Sequence, residues 1–343
     1  MKALVKEEAA RGASLLDVER PTIGPRDLLV KVEAAAICGT DNHIYNWTPW
    51  AQARIEPPMI FGHEFAGEVV EVGSAVEGFA VGDRVAAETH IPCLQCYQCR
   101  TGRQHTCENM QIIGVHVDGA FAEYARLPQA CAWKLAPGTS PELGAILEPI
   151  GVAANGLFKD RVGACSVAVI GAGPIGLFCA QLAMASGARQ LFITEVNAYR
   201  LDMARRILPQ ATVLNPAEDD VEGIVQEATQ GRGVDVAVEL SGSEAGIQQG
   251  FSLLAKGGRI SLVGLPSKPV TLEMTTAIIY REARVYGSTG RLMWDTWYKV
   301  DELLRSGKFD PMSVITHHFP LSQYEEALAL TLSGKAGKVI LTP

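Results

Sequence analysis

Basic charge is scarce in this chain: 30 Lys and Arg stand against 38 Asp and Glu, a formal net charge of −8. Proteins that bind nucleic acid neutralise its phosphates with a basic footprint, so no nucleic acid partner is expected. The first twelve residues, MKALVKEEAARG, lack the apolar core of a signal peptide. Residues 162–188 carry no charged side chain and are long enough to cross a bilayer. However, Gly163, Gly171, Gly173, Pro174 and Gly176 crowd its first half, the pattern of a buried strand turning into a helix. No membrane partner is expected. A secreted disulfide framework is missing too, because four of the eight cysteines cluster too tightly to pair. At 343 residues, 48% hydrophobic and 20% charged, the chain is long enough for two globular domains. The expectation is a cytoplasmic protein acting on a small-molecule substrate.

What is present is metal-ligand chemistry. Cys38-Gly39-Thr40-Asp41-x-His43 is followed by Gly62-His63-Glu64. A thiolate, an imidazole and a carboxylate from Cys38, His63 and Glu64 suit zinc, and three protein ligands leave one position open for chemistry. Gly39 and Gly62 flank the ligands, where a residue without Cβ permits close approach. Further on, Cys93-x2-Cys96-x2-Cys99-x7-Cys107 offers four thiolates at a spacing that wraps one tetrahedral ion with no open position, a structural zinc. An iron–sulfur cluster is the competing assignment, disfavoured by the seven-residue gap and the lack of a second cluster motif. Cys131, Cys165 and Cys179 have no such partners and are expected to be buried thiols.

Residues 1–150 are β-rich in pattern and sparse in helix signals. After 151 the pattern changes. The apolar run Val167–Ile170 leads into Gly171-Ala172-Gly173-Pro174-Ile175-Gly176 and then a helical stretch. A second strand, Leu191–Thr194, ends in Glu195, nineteen residues after Gly176. That is the context a dinucleotide fingerprint requires, with the pyrophosphate on the helix N-terminus and the acidic residue on the ribose. The charge of Glu195 favours NAD over NADP, although Arg200 stands nearby. Alternating strand and helix patterns predict a doubly wound six-stranded parallel sheet, and the segments after Gly290 are expected to return to the first domain. The expected boundaries are 1–150 with 292–343 for a zinc-binding domain, and 151–291 for an inserted NAD-binding domain. The cleft between them is expected to hold zinc and nicotinamide together.

These motifs, with His43-Ile44-Tyr45-Asn46-Trp47, Gly119-x-Phe121-Ala122-Glu123-Tyr124, Glu148-Pro149-x-Gly151 and Gly290-Arg291, resemble the zinc-dependent medium-chain alcohol dehydrogenase family over the whole chain. The resemblance is nearest to its bacterial branch that oxidises L-threonine at the 3-hydroxyl. It implies an α/β fold with a β-rich GroES-like catalytic domain plus an inserted Rossmann domain. It also implies one catalytic and one structural zinc per chain, NAD as cofactor, and a homotetramer. By resemblance, Glu148 lies near the catalytic zinc, Thr40 and His43 relay a proton, and His90 handles substrate. Ile175, Glu195, Arg200, Val263, Gly264, Leu265, Ser288 and Thr289 match nucleotide contacts. Two segments depart from the threonine branch. It typically continues Phe-Gly-Asn-Ala-Val-His after the proline, where this chain has Ile150-Gly151-Val152-Ala153-Ala154-Asn155, and Thr-His-Arg stands here as Thr316-His317-His318. A polyol, vicinal diol or other β-hydroxy amino acid is therefore the alternative substrate, and a non-catalytic zinc and nucleotide binding protein the alternative from another class.

Overall fold

Asp27–Ala36 forms a strand because its apolar side chains fill a core on both faces, leaving only Lys31 fully exposed. In the computed structural model, which describes residues 1–343, this strand lies inside a seven-stranded sheet. The sheet runs in the order Ala132–Lys134, Arg84–Ala87, Glu64–Val72, Asp27–Ala36, Lys338–Thr342 and Ile315–Pro320, with Tyr124–Pro128 also paired to Asp27–Ala36. At one end of the central strand, Ala36 lies opposite Glu64 on one side and opposite Ile340 on the other. The end of one strand thus meets the start of a second and the middle of a third.

This sheet belongs to the first of two compact units, Met1–Pro149 with Ile315–Pro343; the second is Ile150–Val314. The second unit holds the predicted six-stranded sheet, parallel throughout. Its order is Thr212–Leu214, Gln190–Thr194, Ser166–Ile170, Val234–Glu239, Leu254–Leu262 and Arg284–Gly287. The order reverses beside Ser166–Ile170, the strand that opens the glycine motif, and such a switch point is where a doubly wound sheet takes its ligand. Phe192, Val225, Phe251 and Leu253 are among the side chains that fill its core. The chargeless run 162–188 resolves into the strand Ser166–Ile170 and the helix Pro174–Ala185, and no helix is long and apolar enough to cross a membrane.

Residues 292–314, expected to return to the first domain, group instead with the second unit. The helix Asp295–Arg305 buries Thr296, Trp297 and Val300, and the turn Pro311–Val314 packs on Pro174–Ala185. Packing of that apolar stripe, not the position of Gly290, sets where the chain returns.

Candidate active site

The sheet register delivers the metal donors. Cys38 follows the strand that ends at Ala36, and Glu64 begins the strand opposite. His63 precedes it after Gly62, whose φ of +92° is open to glycine, and where a Cβ would sit 2.4 Å from the Phe121 ring. Gly39 is different: open space surrounds it at the first turn of the helix Gly39–Tyr45, so no close approach requires glycine there. One donor atom each from Cys38, His63 and Glu64 lies within 4.8 Å of the others. His63 and Glu64 are buried, and a buried carboxylate and imidazole demand a partner. A soft thiolate converging with a nitrogen and an oxygen donor fits zinc in an open site.

Three neighbours tune these donors. Asp41, itself fully buried, accepts the Cys38 backbone N–H at 2.8 Å with one carboxylate oxygen and places the other 3.5 Å from His63 Nδ1. That leaves His63 Nε2 as the nitrogen that would face a metal, with Asp41 supporting the ring from the other side. Burial disfavours the charged imidazole, yet the Asp41 carboxylate and the Cys38 sulfur outweigh it and hold His63 well above its ordinary value. Glu64 is pushed up to about 7, first by burial and then by Glu148, against the opposing pull of Lys338. Lys338 is buried, donates to the Ile37 carbonyl at 2.9 Å, and forms an ion pair with Glu64. Neither Asp41 nor Lys338 was among the sequence-derived site residues.

Around this set, Glu148 accepts a hydrogen bond from Thr89 Oγ1 at 3.3 Å. His90 donates its backbone N–H to the buried Glu88 carboxylate at 3.0 Å, with its Nδ1 at 3.4 Å from the same oxygen. Thr40 and His43 are three apart on the helix Gly39–Tyr45, hence on one face. No hydrogen bond joins them directly; His43 Nδ1 instead lies 3.1 Å from Thr48 Oγ1. His317 is held by its neighbour Thr316, 2.8 Å from Nδ1 to Oγ1.

The four lobe thiols also converge within 4.8 Å. The backbone N–H of Cys96 donates to Cys93 Sγ at 3.3 Å, and those of Cys93 and Asn109 donate to Cys107 Sγ at 3.2 and 3.3 Å. Hydrogen bonds led by the Gln95 backbone bring the Cys93 thiol down to about 6, while burial drives Cys99 up to about 12. A thiolate cradled by N–H groups beside three more sulfurs suits a closed tetrahedral site. Cys131, Cys165 and Cys179 are buried and lie outside it.

In the second unit, Gly171 has φ +97°, and a Cβ on Gly176 would lie 1.9 Å from the Gly171 carbonyl oxygen. Both glycines are therefore fixed by backbone approach. Gly173 caps the helix Pro174–Ala185, which starts just ahead of Ile175 and aims its free N–H groups at the turn. Glu195 accepts the backbone N–H groups of Ala172, Val196 and Asn197 at 2.9, 2.8 and 3.0 Å, with Arg200 Nη1 3.9 Å away. A cavity of about 130 Å³, lined in part by Gly171, Glu195, Pro216 and Ser243, opens beside it. At the other end of the sheet, Val263 and Gly264 donate to the Glu239 carbonyl, Leu265 is exposed, and Ser288 Oγ is buried without a hydrogen-bond partner. The cradle fits a dinucleotide laid across the strand ends.

Residues 24–137 match the family described as Alcohol dehydrogenase GroES-like domain, and residues 174–306 match Zinc-binding dehydrogenase. The chain is 45% identical to an L-threonine 3-dehydrogenase of Caldanaerobacter subterraneus subsp. tengcongensis, covering 100% of this chain and 99% of that protein. Among solved structures, it resembles a zinc-binding dehydrogenase of Sinorhizobium meliloti 1021 bound to NADP, with TM-score 0.90, 32% identity and coverage of 100% and 99%. It also resembles an alcohol dehydrogenase of Escherichia coli CFT073 complexed with NADH, with TM-score 0.91, 28% identity and coverage of 100% and 99%.

Proposed function

The chain belongs to the zinc-dependent medium-chain alcohol dehydrogenase family, and on that premise we propose that it oxidises L-threonine at the 3-hydroxyl, giving 2-amino-3-ketobutyrate and converting NAD⁺ to NADH with release of one proton. The observation that carries the proposal is the open donor set of Cys38, His63 and Glu64. Zinc held there would lower the pKa of a substrate hydroxyl, and bound NAD would accept the hydride. The chain's own residues supply the rest. Thr40 and His43 carry the hydroxyl proton outward with a bridging water or hydroxyl, since they share a helix face and an imidazole can both accept and donate a proton. His43 is exposed, as the outer end of a proton path must be, and Thr48 orients its ring. Glu148 stands by the donor set as an exchangeable ligand or proton acceptor. Glu88 aims His90, a substrate-handling group.

Several finer assignments belong with this proposal. The carboxylate of Glu195 disfavours a 2′-phosphate, so NAD is the cofactor rather than NADP, with Arg200 along the adenosine. The two donor clusters each hold one zinc, catalytic and structural. Eight free thiols suit the reducing cytoplasm. A homotetramer is supported by the edge strand Arg284–Gly287, whose outer side has no neighbour in the sheet and whose Val285 is 40% exposed. Sedimentation velocity tests this; a monomer would contradict it.

The substrate is tested by comparing kcat/KM for L-threonine, D-threonine, 2,3-butanediol and sorbitol with NAD⁺. A site built for an ammonium and a carboxylate rejects analogues lacking them by about 10⁴-fold. L-threonine is expected to lead 2,3-butanediol and sorbitol by such a margin. A diol or sorbitol exceeding it would transfer the assignment to polyols and implicate the altered segment 150–155.

A further inference from the structure

Asn155 is 2% exposed, near the end of the helix Pro141–Leu157. Its Nδ2 donates to the carbonyls of both Thr289 and Gly290 at 3.0 Å, and its Oδ1 accepts from Lys159 Nζ at 2.6 Å. An ammonium only donates and a peptide carbonyl only accepts. The group between them must therefore offer one acceptor and two donors, which an amide does. A carboxylate has no donor for the carbonyls, and a neutral imidazole has only one. The same stretch of helix touches the neighbouring turn as well: a Cβ on Gly156 would lie 2.7 Å from Val263 Cγ2. Its end is anchored by the buried Arg259, which donates to the Leu157 and Asp160 carbonyls at 2.7 and 3.2 Å, and by the Asp160–Arg284 ion pair at 2.6 Å.

The two turns so gripped follow the strands Leu254–Leu262 and Arg284–Gly287. In a doubly wound sheet with its glycine motif after Ser166–Ile170, the adenosine half lies toward Gln190–Thr194 and Thr212–Leu214. The nicotinamide half lies over the ends of Val234–Glu239, Leu254–Leu262 and Arg284–Gly287. We propose that Asn155, oriented by Lys159, is a positioning residue for the nicotinamide half of the cofactor: it locks the Thr289–Gly290 peptides in the orientation that receives the ring. Asn155 touches neither substrate nor cofactor. Its effect passes through the turn, and it differs from the glycine motif and Glu195 in leaving the adenosine half alone.

This inference rests on the dinucleotide assignment above, and the test separates the two. The dissociation constants of NADH and of ADP-ribose, which lacks the nicotinamide, are measured by fluorescence and calorimetry for the full chain and for Asn155→Ala. NADH binding is expected to weaken about tenfold, the scale of a lost buried hydrogen-bond pair. ADP-ribose binding is expected to change less than about twofold. Lys159→Met, at a half-buried position, is expected to show the same selectivity on a smaller scale and serves if Asn155→Ala fails to fold. Asn155→Asp, which sets a carboxylate against two carbonyls, is expected to weaken NADH more than Asn155→Ala. Equal loss of both ligands, or no change in either, overturns the positioning role. Failure of the unsubstituted chain to bind ADP-ribose would instead overturn the dinucleotide assignment itself.

Discussion

Asp41 stands outside the converging trio of Cys38, His63 and Glu64, yet two of its members depend on it: its carboxylate holds the Cys38 backbone and faces the His63 ring. Replacing it with Asn keeps the shape and removes the charge that opposes the cost of burying His63. Asp41→Asn is expected to weaken zinc at this site by about 10–100-fold, measured by competition with a chelator of known affinity. Unchanged affinity would show that His63 needs no such support. Glu239 poses a different question at the same scale. Its Oε1 accepts Ser241 N–H at 2.8 Å and Gly242 N–H at 3.0 Å, while Oε2 is buried without a hydrogen-bond partner. Burial raises its pKa above the ordinary 4.5 despite those bonds. A raised acid keeps a proton that the unfolded chain has released. Its contribution to stability is thus fully present below the unfolded value and lost as pH rises through the folded one. Glu239→Gln keeps the acceptor and abolishes the titration, so its stability relative to the parent chain is expected to improve from about pH 5 to about pH 8 in denaturant titrations. The same difference at both values would contradict a raised Glu239. The convergence of Cys38, His63 and Glu64 could be read in sequence because ligand type is a local signal and so, at Gly62 though not at Gly39, is the flanking glycine. Lys338, Glu88 and the grip of Asn155 were not, because each acts through a contact that only the register or the helix packing creates.

Elements show the same divide. The glycine fingerprint and the parallel sheet could be read because a strand, a turn and a helix follow one another within a short span. The placement of residues 292–314 could not, since an amphipathic helix announces that it has a buried stripe without saying which core receives it. The four-cysteine lobe was legible for the opposite reason: with only short helical turns, Tyr97–Arg100 and Gln104–Thr106, it has too little apolar surface to need locating. Its order is expected to depend on the thiol cluster. Mild chelation is expected to stop turnover while the lobe still resists limited proteolysis between Cys93 and Cys107, because a closed site releases metal less readily than an open one. Loss of activity and lobe protection at one chelator concentration would contradict that ranking.

For the whole molecule, the two units are assembled from the chain in unlike ways. Ile150–Val314 is continuous, whereas the other unit inserts Lys338–Thr342 between Asp27–Ala36 and Ile315–Pro320 in its sheet. Residues 150–314 made alone are expected to give a cooperative thermal transition by circular dichroism. Residues 1–149 made alone are expected not to, because an interior strand and the partner of Glu64 are missing. A cooperative transition from 1–149 would show that the sheet closes without them.

The ion pair between Glu64 and Lys338 also has a temporal side. The two residues are 274 positions apart, so during synthesis on the ribosome the lysine emerges on the order of ten seconds to a minute after the glutamate. Through that interval the donor cluster lacks its buried cation, while the whole nucleotide-binding insert has time to fold. Translation itself therefore sets an order of emergence: the insert leaves the ribosome complete before Glu64 can meet its buried cation.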